Sequence, residues 1–159
     1  MNVIYPGTFD PFSLGHLDLV ARASKMYQKI IIAVSENIHK RPMFTLEQRT
    51  DMAKLAAFEF NNVEVVGFKG LLVDLMREKD IRCILRGIRG MVDFEYEFQM
   101  AQVNRTLLNG YEPIFLMPGE KYIALSSAFI RDLLRHNGDV TAFLPKSVSE
   151  YVKPLLDNA

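Results

Sequence analysis

Cations, hydroxyls and glycines gather at four points of this chain, each directly after a short apolar run. Val3–Tyr5 leads into Pro6-Gly7-Thr8-Phe9-Asp10-Pro11-Phe12-Ser13-Leu14-Gly15-His16, a loop stiffened by two prolines and turned by two glycines. Gly15 lets backbone approach closely, and His16 falls at a helix start, where free N–H groups and the positive dipole end favour an anion. An imidazole there can donate to phosphate oxygens; the plainer alternative is a turn whose His16 caps or packs. Dipole and polyphosphate push its protonation in opposite directions, so its charge stays open. Ile30–Val34 leads into Ser35-Glu36-Asn37-Ile38-His39-Lys40-Arg41-Pro42. Adjacent loop cations are usually solvated surface, but Lys40 and Arg41 share a sheet edge with His16, which makes Lys40 a candidate phosphate contact. His39 has no evident partner and reads as surface.

Arg86 and Arg89 follow Cys83–Leu85 and bracket Gly87 and Ile88, with Asp93, Glu95 and Glu97 beyond. A guanidinium grips phosphate with a bidentate fork, whereas the alternative is an arginine–glutamate network that only fixes the loop. The fourth point follows Ile114–Leu116, where Met117-Pro118-Gly119 leads to Ser126 and Ser127. These two form a helix N-cap, and a second helix N-terminus facing the first would complete a polyphosphate cradle. No G-x-G-x-x-G, Walker A loop, H-E-x-x-H, C-x-x-C or EF-hand loop occurs, and no Ser-His-Asp ordering stands out. Gly87-Ile88-Arg89-Gly90 matches the G-x-x-G clamp of KH modules, but alternating β/α units do not fit that fold.

The elements that must position these residues are legible from hydrophobic period. The apolar runs at Val3–Tyr5, Ile30–Val34, Val63–Val66, Cys83–Leu85 and Ile114–Leu116 read as buried strands. Between them, His16–Tyr27 places Leu17, Val20, Ala23 and Tyr27 on one face. Thr45–Phe60 opens with Thr45 and Gln48 at capping-box spacing and carries Met52, Ala56 and Phe60 in a stripe. Leu71–Lys79 and Phe94–Leu108 follow, the latter stopped by Asn109-Gly110. Two further helices, Ser126–Asn137 closed by Gly138 and Lys146–Leu156 opened by Pro145, are expected over one edge of the sheet, with Pro154 fraying or kinking the second. The alternation predicts an α/β fold: a doubly wound, Rossmann-like, five-stranded parallel sheet with helices on both faces and C-terminal helices. Such sheets bind ligands beyond the carboxyl ends of their strands, which is where the four points lie.

Composition removes other classes. A chain of 159 residues that is 49% hydrophobic is expected as one domain, 1–159, with a full core, which excludes disorder and disulfide scaffolds. The 19 basic and 19 acidic residues cancel, so a nucleic-acid partner is not expected from charge. The single cysteine, Cys83, cannot pair within the chain and reads as a small buried hydrophobe. No basic leader with an apolar run and no membrane-length apolar stretch is seen, so a cytoplasmic protein without a membrane partner is expected.

Together the loops resemble the nucleotidyltransferase α/β superfamily and, within it, the phosphopantetheine adenylyltransferase family of bacterial coenzyme A synthesis. The carriers are Tyr5-Pro6-Gly7-Thr8-Phe9-Asp10-Pro11 with Gly15-His16, Lys40-Arg41-Pro42-Met43-Phe44-Thr45, Leu85-Arg86-Gly87-Ile88-Arg89, Asp93-Phe94-Glu95-Tyr96-Glu97 and Ser126-Ser127. The resemblance spans nearly the whole chain. It implies transfer of adenylyl from ATP to 4′-phosphopantetheine, giving dephospho-coenzyme A and pyrophosphate, with Mg²⁺ carried on the nucleotide and six chains in a homohexamer. It implies His16, Lys40 and Arg86 as catalytic residues. ATP would be held by Thr8, Phe9, His16, Gly87, Ile88, Arg89, Glu97, Tyr122, Ile123, Ala124, Leu125, Ser126, Ser127 and Ala128. Thr8, Lys40, Leu72 and Arg86 would hold the acceptor. The family commonly carries three hydroxyl residues in a row where this chain has Ser126-Ser127-Ala128, so the two serines are expected to supply those contacts. The rival readings are a glycerol-3-phosphate cytidylyltransferase, a nicotinamide mononucleotide adenylyltransferase, or a non-catalytic ATP sensor on the same sheet.

Overall fold

Valine and isoleucine runs build the middle of the sheet. The computed structural model describes residues 1–37, 39 and 41–157. Strands and helices alternate as β1 (Asn2–Gly7), α1 (Leu14–Ala23), β2 (Lys29–Ser35), α2 (Leu46–Ala57), β3 (Val63–Phe68), α3 (Leu72–Glu78), β4 (Cys83–Gly87), α4 (Met91–Leu107) and β5 (Glu112–Leu116). Then come α5 (Ser127–Arg135) and α6 (Lys146–Asp157). The strands lie in the order β3-β2-β1-β4-β5, all parallel. This is the doubly wound sheet that the alternation predicts, with each apolar run the buried part of a strand.

Strand residues alternate between faces, and each face has its own core. Val3, Tyr5, Ile30, Ile32, Val34 and Leu85 pack under α1, α2, α5 and α6. Ile4, Ile31, Ala33 and Ile84 pack under α3 and α4. Ile4 and Ile32 are wholly buried, so cutting either to alanine costs about 2–5 kcal/mol. The C-terminal helices lie on this first face, not over one edge as expected, because Ile130, Leu134, Val148 and Val152 each join that core. α6 includes Pro154 and runs to Asp157; so near the end, the missing N–H costs one intrahelical bond. α5 ends at Arg135 with His136 as its C-cap; Asn137 follows at a left-handed φ of 55°, and the Gly138 N–H closes the end on the Leu133 carbonyl at 2.8 Å.

β1 and β4 part where the site begins. β1 shares six register pairs with β2, but β1 and β4 share only Ile4–Ile84. A strand residue points its N–H and C=O toward the same neighbour, so Pro6 offers β4 an acceptor and no donor. Arg86 Nη1 meets that carbonyl at 3.0 Å, a side chain standing in for the ladder. The gap lies at the topological switch point, between the carboxyl ends of the two strands.

Candidate active site

A cleft of about 590 Å³ opens there, lined by Thr8, Gly15 and His16 from the first loop and helix α1, and by Arg86, Arg89, Asp93 and Glu97 from β4, the turn after it and α4. Tyr122 and Leu125 to Ala128 close its far side. At its floor, α1 starts two residues before His16, with Ser13 as N-cap. His16 takes the third helical position, where its side chain completes the capping box in place of the usual Glu or Gln. Its Nδ1 accepts the Ser13 backbone N–H at 2.9 Å. That donor can only donate, so Nδ1 is unprotonated and the proton sits on Nε2. The rings of Phe9 and Phe12 pack against the imidazole, with centroids 5.0 and 5.3 Å away. Burial, with Arg89 adding repulsion, lowers the His16 pKa to about 4. The sequence left the charge open; the structure makes His16 a neutral Nε2–H donor.

Phe9 supports the first loop through its ring. Its side chain is buried at a φ of 49°, and its ring fills the space a Cβ on Gly7 would need, 2.8 Å from the nearest ring carbon. Thr8 is held from β2: Asn37 Nδ2 donates to its hydroxyl oxygen at 3.2 Å, which leaves the Thr8 proton available to a ligand.

Arg86 in β4 and Arg89 just after it are both ion-paired. Arg86 Nε lies 2.9 Å from Glu97 Oε2, and its Nη1 is on Pro6. Arg89 forks Asp93 through Nε at 2.9 Å and Nη2 at 3.2 Å, and reaches the Leu125 carbonyl at 3.4 Å. Hydrogen bonding from Arg89 holds the Asp93 carboxyl below its usual range. The arginine–carboxylate network expected as the alternative is therefore present, and it fixes both guanidinium groups at the cleft.

Across the cleft, Ser126 caps α5, accepting the Phe129 N–H at 3.1 Å and keeping its own proton free. Ser127 Oγ donates to the Pro11 carbonyl at 3.1 Å. Only Ser126 therefore has a hydroxyl proton to offer; Ser127 and Ala128 offer backbone N–H groups, for which Ala128 needs no hydroxyl. The loop before α5 is tied to α1 by Asp18, which accepts the Gly119 N–H at 3.0 Å, and by Arg22 on the Met117 carbonyl.

Leu72, Ile88, Ile123 and Ala124 do not line this cleft. Leu72 packs against the α3–α4 core and Ile88 is buried, while Ile123 is partly exposed. Lys40 lies outside the described residues. Three residues escaped the sequence reading. Asp10, buried, accepts the Met43 and Phe44 N–H groups at 2.9 and 3.0 Å. Arg131 donates to the Asp10 carbonyl at 2.7 Å and lines the cleft. Arg49 is fully buried and bonded to four carbonyls. A signal for it existed: Arg49 is in phase with Met52, Ala53 and Ala56 on the apolar stripe of α2.

A helix-capped anion cleft at the switch point of this sheet defines a nucleotidyltransferase site, and the comparisons agree. The cytidylyltransferase-like family model matches residues 4–133. A solved structure from Vibrio parahaemolyticus, provisionally named a nicotinate-nucleotide adenylyltransferase, shares the fold with a TM-score of 0.71 at 18% identity, covering 96% of this chain and 91% of its own. The phosphopantetheine adenylyltransferase of Aromatoleum aromaticum is 50% identical over 147 residues, 92% of this chain and 90% of the relative. The chain belongs to the phosphopantetheine adenylyltransferase family.

Proposed function

We propose that this cleft transfers the adenylyl group of ATP reversibly to 4′-phosphopantetheine, releasing pyrophosphate and forming dephospho-coenzyme A. The observation that carries the reading is the Ser13 N–H bond to His16 Nδ1, which fixes a neutral Nε2–H donor at the point where strands β1 and β4 part. An acceptor phosphate oxygen attacks the α-phosphorus, a new P–O–P bond forms, and the bond to pyrophosphate breaks with its electron pair leaving on oxygen. The attacking phosphate is already ionised near neutral pH, so no general base is needed. Catalysis then consists of alignment and of neutralising charge that builds on the α-phosphoryl oxygens. His16 Nε2–H and the Thr8 hydroxyl serve there. Arg89, Gly87, the Phe9 backbone, Glu97, Tyr122 and the Leu125–Ala128 segment hold ATP, and Arg86 and Lys40 hold the acceptor arm.

In this reading Mg²⁺ belongs to the substrate and arrives as MgATP. Assembly as a homohexamer is part of the proposal. Its support is α4, which buries only Ala101 and Asn104 and leaves Met91, Val92, Phe98 and Val103 open beside the cleft. Sedimentation should give about six chains, and a fully active stable monomer would refute the assembly. We place the reaction in the cytoplasm; no helix among the described residues is long and apolar enough to cross a membrane. The deciding experiment measures pyrophosphate release from ATP with 4′-phosphopantetheine or nicotinamide mononucleotide, and from CTP with glycerol 3-phosphate. Turnover is expected with the first acceptor alone, and turnover only with another would sink the reading.

A further inference from the structure

We propose that Arg49 is a positioning residue for this transfer, a buried brace that sets the Thr8 loop against the loop between β2 and α2. The proposal rests on the reaction proposed above. Arg49 is 1% exposed, and four of its five N–H donors go to backbone carbonyls. Nη1 donates to Thr8 at 2.6 Å and to Ser35 at 2.7 Å, Nη2 to Glu36 at 3.1 Å, and Nε to Phe44 at 2.9 Å. Those carbonyls belong to three segments: the first loop, the end of β2 and the entry to α2. Phe44 is held twice, since its N–H is bonded to Asp10 of the first loop at 3.0 Å while its carbonyl is on Arg49.

Among the described residues no carboxylate stands within ion-pair distance of this guanidinium. Asp10 and Glu36 act on it only from a distance, and burying a cation with no carboxylate in contact is costly unless its hydrogen bonds are met. The flat fork with donors on three nitrogens is what three separate strands of backbone require, and an ammonium presents its donors from one point. The braced residues are functional on both sides. Thr8 faces both substrates, and Ser35, Glu36 and Phe44 anchor the two ends of the loop that bears the acceptor-side cation. A displacement of about 1 Å between reacting groups costs on the order of 10²-fold in rate, so a brace at this junction acts on alignment more than on affinity.

The test is Arg49→Lys, with thermal melts, ATP binding by calorimetry, and steady-state kinetics. The expected result is a folded enzyme that binds ATP within about threefold of wild type and loses roughly 30-fold or more in kcat. Introduced into His16→Ala, the same change should cost far less, because a donor already lost cannot be misaligned again. A folded Arg49→Lys enzyme with wild-type kcat overturns the proposal, and so does full multiplication of the two losses. If Arg49→Lys does not fold, Asn37→Gly keeps the positive φ at that residue and frees Thr8 from the same side. Its kcat should fall about tenfold with ATP binding retained, and an unchanged kcat overturns the brace. Should wild-type enzyme prefer another acceptor, the reaction named above fails, while the same variants read with that acceptor still judge Arg49.

Discussion

The two walls of the cleft carry similar residue types and use them in opposite ways. On the β1–β2 wall, Asp10 and Arg49 are 2% and 1% exposed, and backbone groups satisfy most of their hydrogen bonds. On the β4–β5 wall, Arg86 and Arg89 are paired with Glu97 and Asp93, and the Arg89–Asp93 pair has side chains 41% and 30% exposed. Backbone partners cannot be exchanged for a ligand without unmaking the loops. Of the carboxylate partners, Asp93 can yield to an incoming anion, since water already competes for its partly exposed pair with Arg89. The first wall is therefore a frame and the second an adjustable grip. His16 sits on the floor between them, positioned by the frame and presented to the grip.

The largest expected effect falls on that floor. His16→Ala should fold, assemble and bind ATP within a few-fold of wild type while losing at least about 10² in kcat, roughly 3 kcal/mol of transition-state stabilisation. Near-wild-type turnover removes His16 from the chemistry, and a variant that merely unfolds makes it structural. Next comes the frame. Asp10→Asn turns one acceptor into a donor facing a backbone N–H, so we expect a loss of about 2–3 kcal/mol and a Tm lower by roughly 4–10 °C. A melt unchanged within error would show that the first wall is as replaceable as the second.

The sequence displays the frame less well than the grip. Strand runs, the Thr45–Gln48 capping box and the switch-point location are all legible, because hydrophobic period and cap chemistry are local properties. Arg86, Arg89 and Ser126 stand out for the same reason, as charges and hydroxyls beside glycines after strands. Asp10 and Arg49 act through bonds to Phe44, Thr8 and Ser35 that span 5 to 41 positions, and no single-chain pattern announces those partners. The protonation of His16 also needed tertiary structure, since it follows from the Ser13 N–H and from burial under Phe9 and Phe12. Packing of α5 and α6 on a face rather than over an edge is likewise a long-range outcome, decided by Ile130 and Val148 finding the same core as Val3.

A smaller effect separates the floor from both walls by pH. The His16 pKa falls from 6.5 when unfolded to about 4 when folded, mainly through burial. The unfolded chain then binds more protons between those values, so stability from this residue is complete above about pH 6.5 and is lost as pH falls through about 4. Melts of wild type at pH 7 and pH 5 should show a larger drop than melts of His16→Ala at the same two values. Equal drops would mean that the imidazole is not held neutral by the fold.

The smallest effect is expected on the grip, from the chemical change that injures the frame. Asp93→Asn removes the charge that aims Arg89, yet the pair is half-exposed and such pairs contribute about 0–1 kcal/mol. We expect Tm within about 3 °C of wild type. Arg89 keeps its place through the Leu125 carbonyl and gains freedom to turn toward phosphate, so ATP affinity should change by less than about fivefold in either direction. The Asp93 carboxyl is held below its ordinary range by Arg89, so it is ionised throughout the neutral region and the comparison is not blurred by titration. If Asp93→Asn destabilised the protein as much as Asp10→Asn, the Arg89 pair would be part of the frame. The division of the cleft into one fixed and one adjustable wall would then fail.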